Sequence, residues 1–581
     1  MKTLLDEILQ TLDVKQSVAH IEWLTENTPN RISGKGQDRR AAEYICKKMD
    51  EYGLETNLLE FEAYNSHPGS SEVTVTCPVE KKLASLPCCH INSTPPEGQE
   101  FEVVYLGSGG EEDYAGKDVA GKAVLVEVSY APATPEKAML ASEHHAAAMI
   151  CMNWGTTEHE LICNRGLKAV WGNPTPESFP TIPQLVGVSV TRKDGEYLKE
   201  LCLKNECVTV KIQASATRHW EYLPQPMGIL RGTEEPEKFL LVSAHLDAWC
   251  PGVTCNATGD GTMLEMARVF GKFKDRLKRS IYFLYWNGHE IAEAAGSTWF
   301  QDYFYEDIRE NCIGYINIDS TGMKGAAKYC ADASRELSDY ADQIIRKVLG
   351  EDLDVNYLAK TGDQSFFGVG VPSIAGRISY LPDVVQEQNG ATLGYWNHTC
   401  EDTLDKMDIQ NLEKDNRVDA GVIWGLVNAE VLPYDFQKTC EDIGEKVAFI
   451  RRESKNIIEL GGIEKSISRL AKNVSVLNEK RANAESLPKE EIRRLNATLL
   501  RLSRSLTNAF YTNAEKYDQD SYGRTILSKP LPLLYPMIKL SGLSKDTLEY
   551  RLLYTKMLRN RNRVADAVML ANEYVELFLG K

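Results

Sequence analysis

Four apolar runs between residues 239 and 377 restrict this chain more than any other feature. FLLVSAHLD, SIYFLYWNG, CIGYINIDS and VPSIAGR are short, rich in aliphatic and aromatic residues, and mostly free of the polar alternation of a half-exposed strand. Such runs read as strands covered on both faces. The helical pattern GDGTMLEMARVFGKF follows the first run, and VDAGVIWGLVNAEVL closes the unit. From about Ile229 to Leu432 the expectation is therefore an α/β sheet of alternating strands and helices. Ligands of open α/β sheets gather beyond the carboxyl ends of the strands. Those ends carry His245 and Asp247, then His289 and Glu290, then Asp319, and the late loop GYWNHTCEDT carries His398. Converging imidazoles and carboxylates suit zinc, and two zinc ions need about five to six such groups. Taken singly, a histidine near a strand end is more often a hydrogen-bonded structural residue, and it is the four sites in order that lift the set above its members.

At 581 residues the chain exceeds one ordinary core, and the pattern divides it into four stretches. Residues 1–65 contain the breaker Arg31-Ile32-Ser33-Gly34. A helix follows with Ala42, Ile45 and Met49 on one face, ended by Gly53, and then the strand LETNLLEFEAY. Residues 66–217 are rich in strands and turns, and residues 218–433 form the α/β unit. Residues 434–581 are helical. There Ile463, Ile467, Leu470, Val474 and Leu477 form one stripe, and Ile492, Leu495, Leu499, Leu502 and Leu506 another, with SLPKEE as the turn between. Two such stripes most simply predict an antiparallel helical hairpin packed on the body, serving as core or as a homodimer surface.

Several function classes drop out. A net charge of -17 argues against a nucleic-acid surface. No apolar run reaches the roughly 18 residues of a membrane helix. Acids interrupt MKTLLDEILQTLDVKQ where a signal peptide has its apolar core, so export is not expected and the cytoplasm is the expected address. The 14 cysteines lack paired metal-knuckle spacing, and most read as buried reduced thiols.

In order and spacing these motifs resemble the co-catalytic zinc exopeptidases, peptidase family M28, in the branch of glutamate carboxypeptidase II and the transferrin receptor. The family pattern has His-x-Asp with an acid ten residues after the His, a Glu-Glu pair before a Gly-Ser turn, Asn-x-Asp after a buried strand, and a late aromatic-His-Thr stretch. Here His245, Asp247, Glu290, Asp319 and His398 match, and GDQSFFGVGVPSIAGR resembles the stretch leading to a substrate-side arginine, Arg377. The resemblance implies a zinc-exopeptidase α/β fold of mixed sheet flanked by helices. It also implies an inserted β-rich region similar to a protease-associated domain, carried by DVAGKAVLV, EKAMLASEHHAAAMIC and FPTIPQLVGVSV, and a C-terminal helical dimerisation region. His245 and Asp319 would hold one zinc, Glu290 and His398 the other, and Asp247 would orient His245.

Two positions depart from the pattern. Cys255 stands at the bridging acid, where a thiolate can still ligate zinc or can be a small filler beside a lost metal. His289 stands at the general base, where an imidazole can serve as base or ligand, or can have left catalysis altogether. The turn WNGHEIAEAAGS also carries one extra residue, so Glu293 could replace Glu290 if the turn shifts. Two functions follow. One is a zinc-dependent exopeptidase or related amide hydrolase acting on peptides or acyl-amino acids. The other is an inactive homologue that binds or scaffolds, since fold alone does not decide activity.

Overall fold

A computed structural model describes residues 3–204, 207–351, 353, 355–521 and 530–581. The four apolar runs form the centre of an eight-stranded mixed sheet. Its order is Glu55–Asn65, His219–Leu230, Arg279–Trp286, Glu235–His245, Cys312–Asn317, Ser373–Ser379, Lys328–Ala333 and Val355–Tyr357. The middle four strands are parallel, with Val242 opposite both Phe283 and Ile316. Arg279–Trp286 is buried at every residue, as a strand covered on both faces must be. Helix Thr258–Lys272 covers one face, and its Met263, Leu264, Met266 and Phe270 are inaccessible to solvent. Helix Gln37–Glu51 packs Ala42, Ile45 and Met49 inward and stops before Gly53, whose φ of +84° is a left-handed conformation open to glycine.

The chain leaves this sheet after Asn65 and returns at His219. Between them lies a second eight-stranded sheet, running from Pro68–Cys77 to Thr209–Ala216, with its own apolar core. Its parallel centre is Gln99–Tyr105, Ala123–Glu127, Ala148–Met152 and Val186–Val190.

The C-terminal region is helical and continues the core of the first sheet without a break. Both stripes are buried in helices Gly461–Ala482 and Lys489–Tyr511. The expected hairpin takes a different form, because each of these helices packs instead against the last helix, Leu548–Leu579. That helix supplies the apolar face, with Met557, Val564, Val568, Ala571 and Val575 buried. Tyr434 donates its hydroxyl to the carbonyl of Ile313, and Arg504 donates to the carbonyls of Arg309 and Gly370 at 2.8 and 2.9 Å. The helices are thereby tied to the strand ends of the sheet.

Candidate metal centre

Strand geometry delivers the site. Strand Glu235–His245 ends at His245, in parallel register with Trp286, and the chain beyond Trp286 turns through His289 and Glu290. Asp319 follows strand Cys312–Asn317 one bond past Ile318, whose N–H donates to the carbonyl of Ser243 at 2.7 Å. His398 comes from the late loop with a φ of +60°. Asn164, from the second-sheet region, pins it by donating both its backbone N–H and Nδ2 to the His398 carbonyl, at 2.9 and 3.0 Å.

Two donor triads result. His245, Cys255 and Asp319 each offer a ligand atom within 4.8 Å of the others, and Cys255, Glu290 and His398 do the same. His245 Nε2 is 3.6 Å from Asp319 Oδ1, and His398 Nε2 is 3.2 Å from Glu290 Oε2. Cys255 Sγ stands between the pairs, 3.7 Å from His245 Nε2 and 3.4 Å from Glu290 Oε1. Donors on one tetrahedral zinc, at about 2.0–2.3 Å from the ion, are roughly 3.3–3.6 Å apart. The donor set and its spacing therefore fit zinc on either side of the sulfur.

The electrostatics follow from burial among carboxylates. Burial, with Glu290 and Asp319 adding their charge, pushes the Cys255 thiol well above its usual range. Burial and the neighbouring cationic groups Arg165, His289 and His245 push His398 well below the usual histidine value, leaving it neutral and able to coordinate. Burial would raise Asp319, but its hydrogen bond with His245 and the charges of His245 and Arg377 outweigh that and hold it far below the usual carboxylate range.

The Asp247 carboxylate does something other than orient His245. The His245 ring donates from Nδ1 to the backbone carbonyl of Asp247 at 2.8 Å, while the carboxylate lies 3.9 Å away. The carboxylate accepts from Ser33 Oγ at 2.7 Å and from the N–H groups of His289 and Glu290 at 3.1 and 3.0 Å. It fixes the turn that presents those two side chains. His289 stacks on His245 with ring centroids 4.0 Å apart, and its Nδ1 is 2.9 Å from Asp363 Oδ2. Burial would lower this imidazole, but Asp363, Glu290 and Asp247 together raise it well above the usual value. The extra residue of the turn is absorbed by Glu293 and Ala294, with φ of +49° and +60°. Glu290 thus stays with His398 and Cys255. Glu293 turns toward Lys168 and Gly166, where a Cβ would come within 2.4 Å of Glu293 Oε1.

A cavity of about 260 Å³ opens on these groups, lined among others by Cys255, His289, Glu290, Asp319, Arg377 and His398. Arg377 donates from Nη1 to the Asp319 carbonyl at 3.0 Å, and its buried Nε has no hydrogen-bond partner among the described residues. The second-sheet region contributes Tyr130 and Arg165. The Arg165 guanidinium is stacked over Trp154, and its Nε and Nη2 are buried without hydrogen-bond partners among the described residues.

The sequence reading missed three supports of the site. Asp402 accepts from Thr254 N, Thr254 Oγ1 and Cys255 N at 2.9, 2.9 and 3.0 Å, holding the cysteine loop. Arg31, in the segment read only as a breaker, donates to the carbonyls of Leu246, Pro251 and Gly252. Asp363 holds His289. Asp363 and Asp402 lie inside the stretches GDQSFFGVGVPSIAGR and GYWNHTCEDT, where neither stands out. A disulfide joins Cys250 to Cys400, linking the loops that carry Asp247 and His398, and the other twelve cysteines are free.

Comparison with known proteins agrees with this architecture. Residues 227–423 match the model of peptidase family M28. A Zea mays protein named probable glutamate carboxypeptidase is 23% identical over 73% of this chain and 68% of its own length. An inactive zinc metalloprotease of Schizosaccharomyces pombe is 23% identical over 52% of this chain and 42% of its own. Among solved structures, the peptidase M28 precursor from Shewanella amazonensis superposes with a TM-score of 0.61 at 16% identity, covering 74% of this chain and 97% of that one. Residues 227–423 therefore match peptidase family M28 in sequence, and 74% of the chain shares the fold of the Shewanella amazonensis structure.

Proposed function

We propose that the protein is a zinc-dependent exopeptidase or related amide hydrolase whose centre is bridged by a cysteine and served by a histidine in place of the usual glutamate. The observation that carries this reading is the position of one sulfur, Cys255 Sγ, within 3.7 Å of His245 Nε2 and 3.4 Å of Glu290 Oε1, so that both triads share it. Zinc held by the triads would supply Lewis acidity toward a carbonyl and lower the pKa of water. The chain's own groups divide the remaining work. Asp247 sets the 289–290 turn, and Asp363 holds His289 Nδ1, so Nε2 is the nitrogen that would meet a proton in the cavity. Arg377, which lines the cavity, would take a carboxylate of a peptide or acyl-amino acid through its guanidinium.

Chelator-free protein should contain one to two zinc ions that are lost on replacing His245 or His398, and should hydrolyse members of a panel of aminoacyl and acyl-amino-acid amides. No zinc, and no activity after zinc addition, overturns the reading. His289→Ala should lower kcat strongly with zinc content unchanged, whereas loss of zinc would make His289 a ligand.

A second reading, a binding or scaffold protein on a peptidase fold, has one specific support. The carboxylates around His289 favour its protonated form, which is an acid and not a base. The name of the fission-yeast relative also points that way. Zinc binding without hydrolysis across the panel selects this reading.

We further propose a homodimer formed through the C-terminal helices. The stripes seen in the sequence are buried within the chain itself, so the pairing surface would be the exposed Leu548, Leu552, Met569 and Leu577 of the last helix. Leu552→Glu with Leu577→Glu should convert dimer to monomer in light scattering, and an unchanged mass refutes it. The cytoplasmic address is tested by alkylating the protein as it is extracted: free Cys250 and Cys400 thiols fit a reducing compartment, an intact bridge an oxidising one.

A further inference from the structure

The two sheets are joined by two short crossings that lie side by side. The chain leaves through Ser66 and His67 and returns through Thr217 and Arg218, and Asn65 faces His219 in the antiparallel ladder. Thr217 N donates to the His67 carbonyl at 2.9 Å, and His67 N donates to Thr217 Oγ1 at 3.0 Å. At this junction three side chains meet. His67 Nε2 is 2.9 Å from Glu221 Oε1, and His219 Nε2 is 3.1 Å from the same oxygen. His219 and Glu221 are two residues apart on one strand and so project from the same face. The imidazoles stand at 76° to each other, with centroids 4.8 Å apart.

We propose that His67, His219 and Glu221 form a zinc site outside the cavity, with water as fourth ligand, that clamps the two crossings together. Each residue offers a donor atom within 4.8 Å of the other two. Two imidazoles and one carboxylate are a donor set that zinc favours over calcium or magnesium, which prefer oxygen alone. The separations of 2.9 and 3.1 Å are a few tenths short of the roughly 3.3 Å edge between nitrogen and oxygen donors on one tetrahedral zinc, so small side-chain rotations admit the ion. The side chain of His219 is 36% exposed, which leaves a path for the ion and its water. Coordination through His67 Nε2 replaces its 3.2 Å hydrogen bond to the Ser33 carbonyl, while Asn65 Nδ2 donates both to that carbonyl at 3.2 Å and to Glu221 Oε1 at 2.7 Å, holding the carboxylate in place. Ser33 Oγ in turn donates to Asp247, so the clamp ends one residue's span from the turn that presents His289 and Glu290. The site would therefore fix the second sheet, with Arg165 and Asn164, against the metal centre. Zinc at this junction would bind whether or not the protein hydrolyses anything.

The test uses the full-length chain and zinc alone. His219→Gln and Glu221→Gln keep hydrogen-bonding groups at the junction, and each should bind one zinc ion fewer than the unmodified protein at equal far-UV circular dichroism. In a His245→Ala, His398→Ala, Cys255→Ser background, zinc should still bind and raise Tm, and adding His219→Gln should abolish both effects. Zinc should also protect His219 of the unmodified protein from diethyl pyrocarbonate, read by peptide mass mapping, which needs no variant. Equal zinc content with and without His219, or unchanged labelling on adding zinc, overturns the proposal. Loss of zinc only from variants of His245 or His398 would leave the cavity centre as the single site and equally overturn it.

Discussion

Replacing Cys255 by serine isolates the most unusual feature of the centre. The side chain is buried and its sulfur belongs to both triads, so the substitution leaves His245 with Asp319 and Glu290 with His398 as pairs. Zinc sites that work in catalysis keep about three protein ligands, and a neutral hydroxyl is a poor substitute for a thiolate. Loss of one ligand from each triad should weaken zinc binding at least about a hundredfold, or roughly 2.7 kcal/mol. A second, independent signature lies in protons. Because burial and the neighbouring carboxylates hold the Cys255 thiol protonated well above the ordinary range, zinc must displace that proton to gain a thiolate. Calorimetric titrations in buffers of different ionisation enthalpy should show the serine variant releasing about one proton fewer per chain at neutral pH. Competition with a chelator of known affinity gives the binding loss. Equal zinc affinity and equal proton release in the two proteins would refute coordination by sulfur and leave Cys255 as a filler.

Three other outcomes follow from the geometry. Asp402→Asn keeps an oxygen for Thr254 but presents an NH2 donor to the Cys255 N–H in place of the other, and should cost about 1–3 kcal/mol of stability with a matching loss of zinc affinity, measured by denaturant unfolding and chelator competition. Burial pushes Glu293 up to about 8 from its usual 4.5, so the folded state holds this proton longer than the unfolded one. Its stabilising contribution is complete below the unfolded value and is lost as pH rises through about 8; unfolding curves should show wild type losing up to about 4 kcal/mol relative to Glu293→Gln between about pH 5 and 8, and parallel pH profiles would refute it. A chain ended at Pro433 should show no cooperative thermal transition, because the helices beyond it complete the core of the first sheet; a soluble, cooperatively melting fragment would show that they are dispensable.

The strands and ligands were legible because each signal is local. A run such as FLLVSAHLD is apolar until the sheet ends, and the first polar residues after it must lie at the sheet's carboxyl edge, whatever the rest of the chain does. The same holds for Glu290 and Asp319. Asp363, Asp402 and Arg31 are single polar residues in loops, and nothing within ten residues of them marks a partner. Their importance comes from carbonyls, amides and an imidazole brought to them from 74, 148 and 215 residues away in sequence. The helical stripes show the opposite failure. Their periodicity identified buried faces correctly, but periodicity cannot say which apolar face covers which, and the last helix proved the better partner for both.

By itself the sequence determined an α/β sheet with imidazole, thiol and carboxylate groups at its strand ends, because hydrophobic period and chain direction settle those at short range. The tertiary structure alone decided that Cys255 Sγ lies between two pairs of ligands. It also decided that Glu290 keeps its place despite the longer turn, and that the Asp247 carboxylate holds that turn while its carbonyl orients His245. Those outcomes depend on separations of a few tenths of an ångström between groups far apart in the chain, and only the packed core and its hydrogen bonds fix distances on that scale.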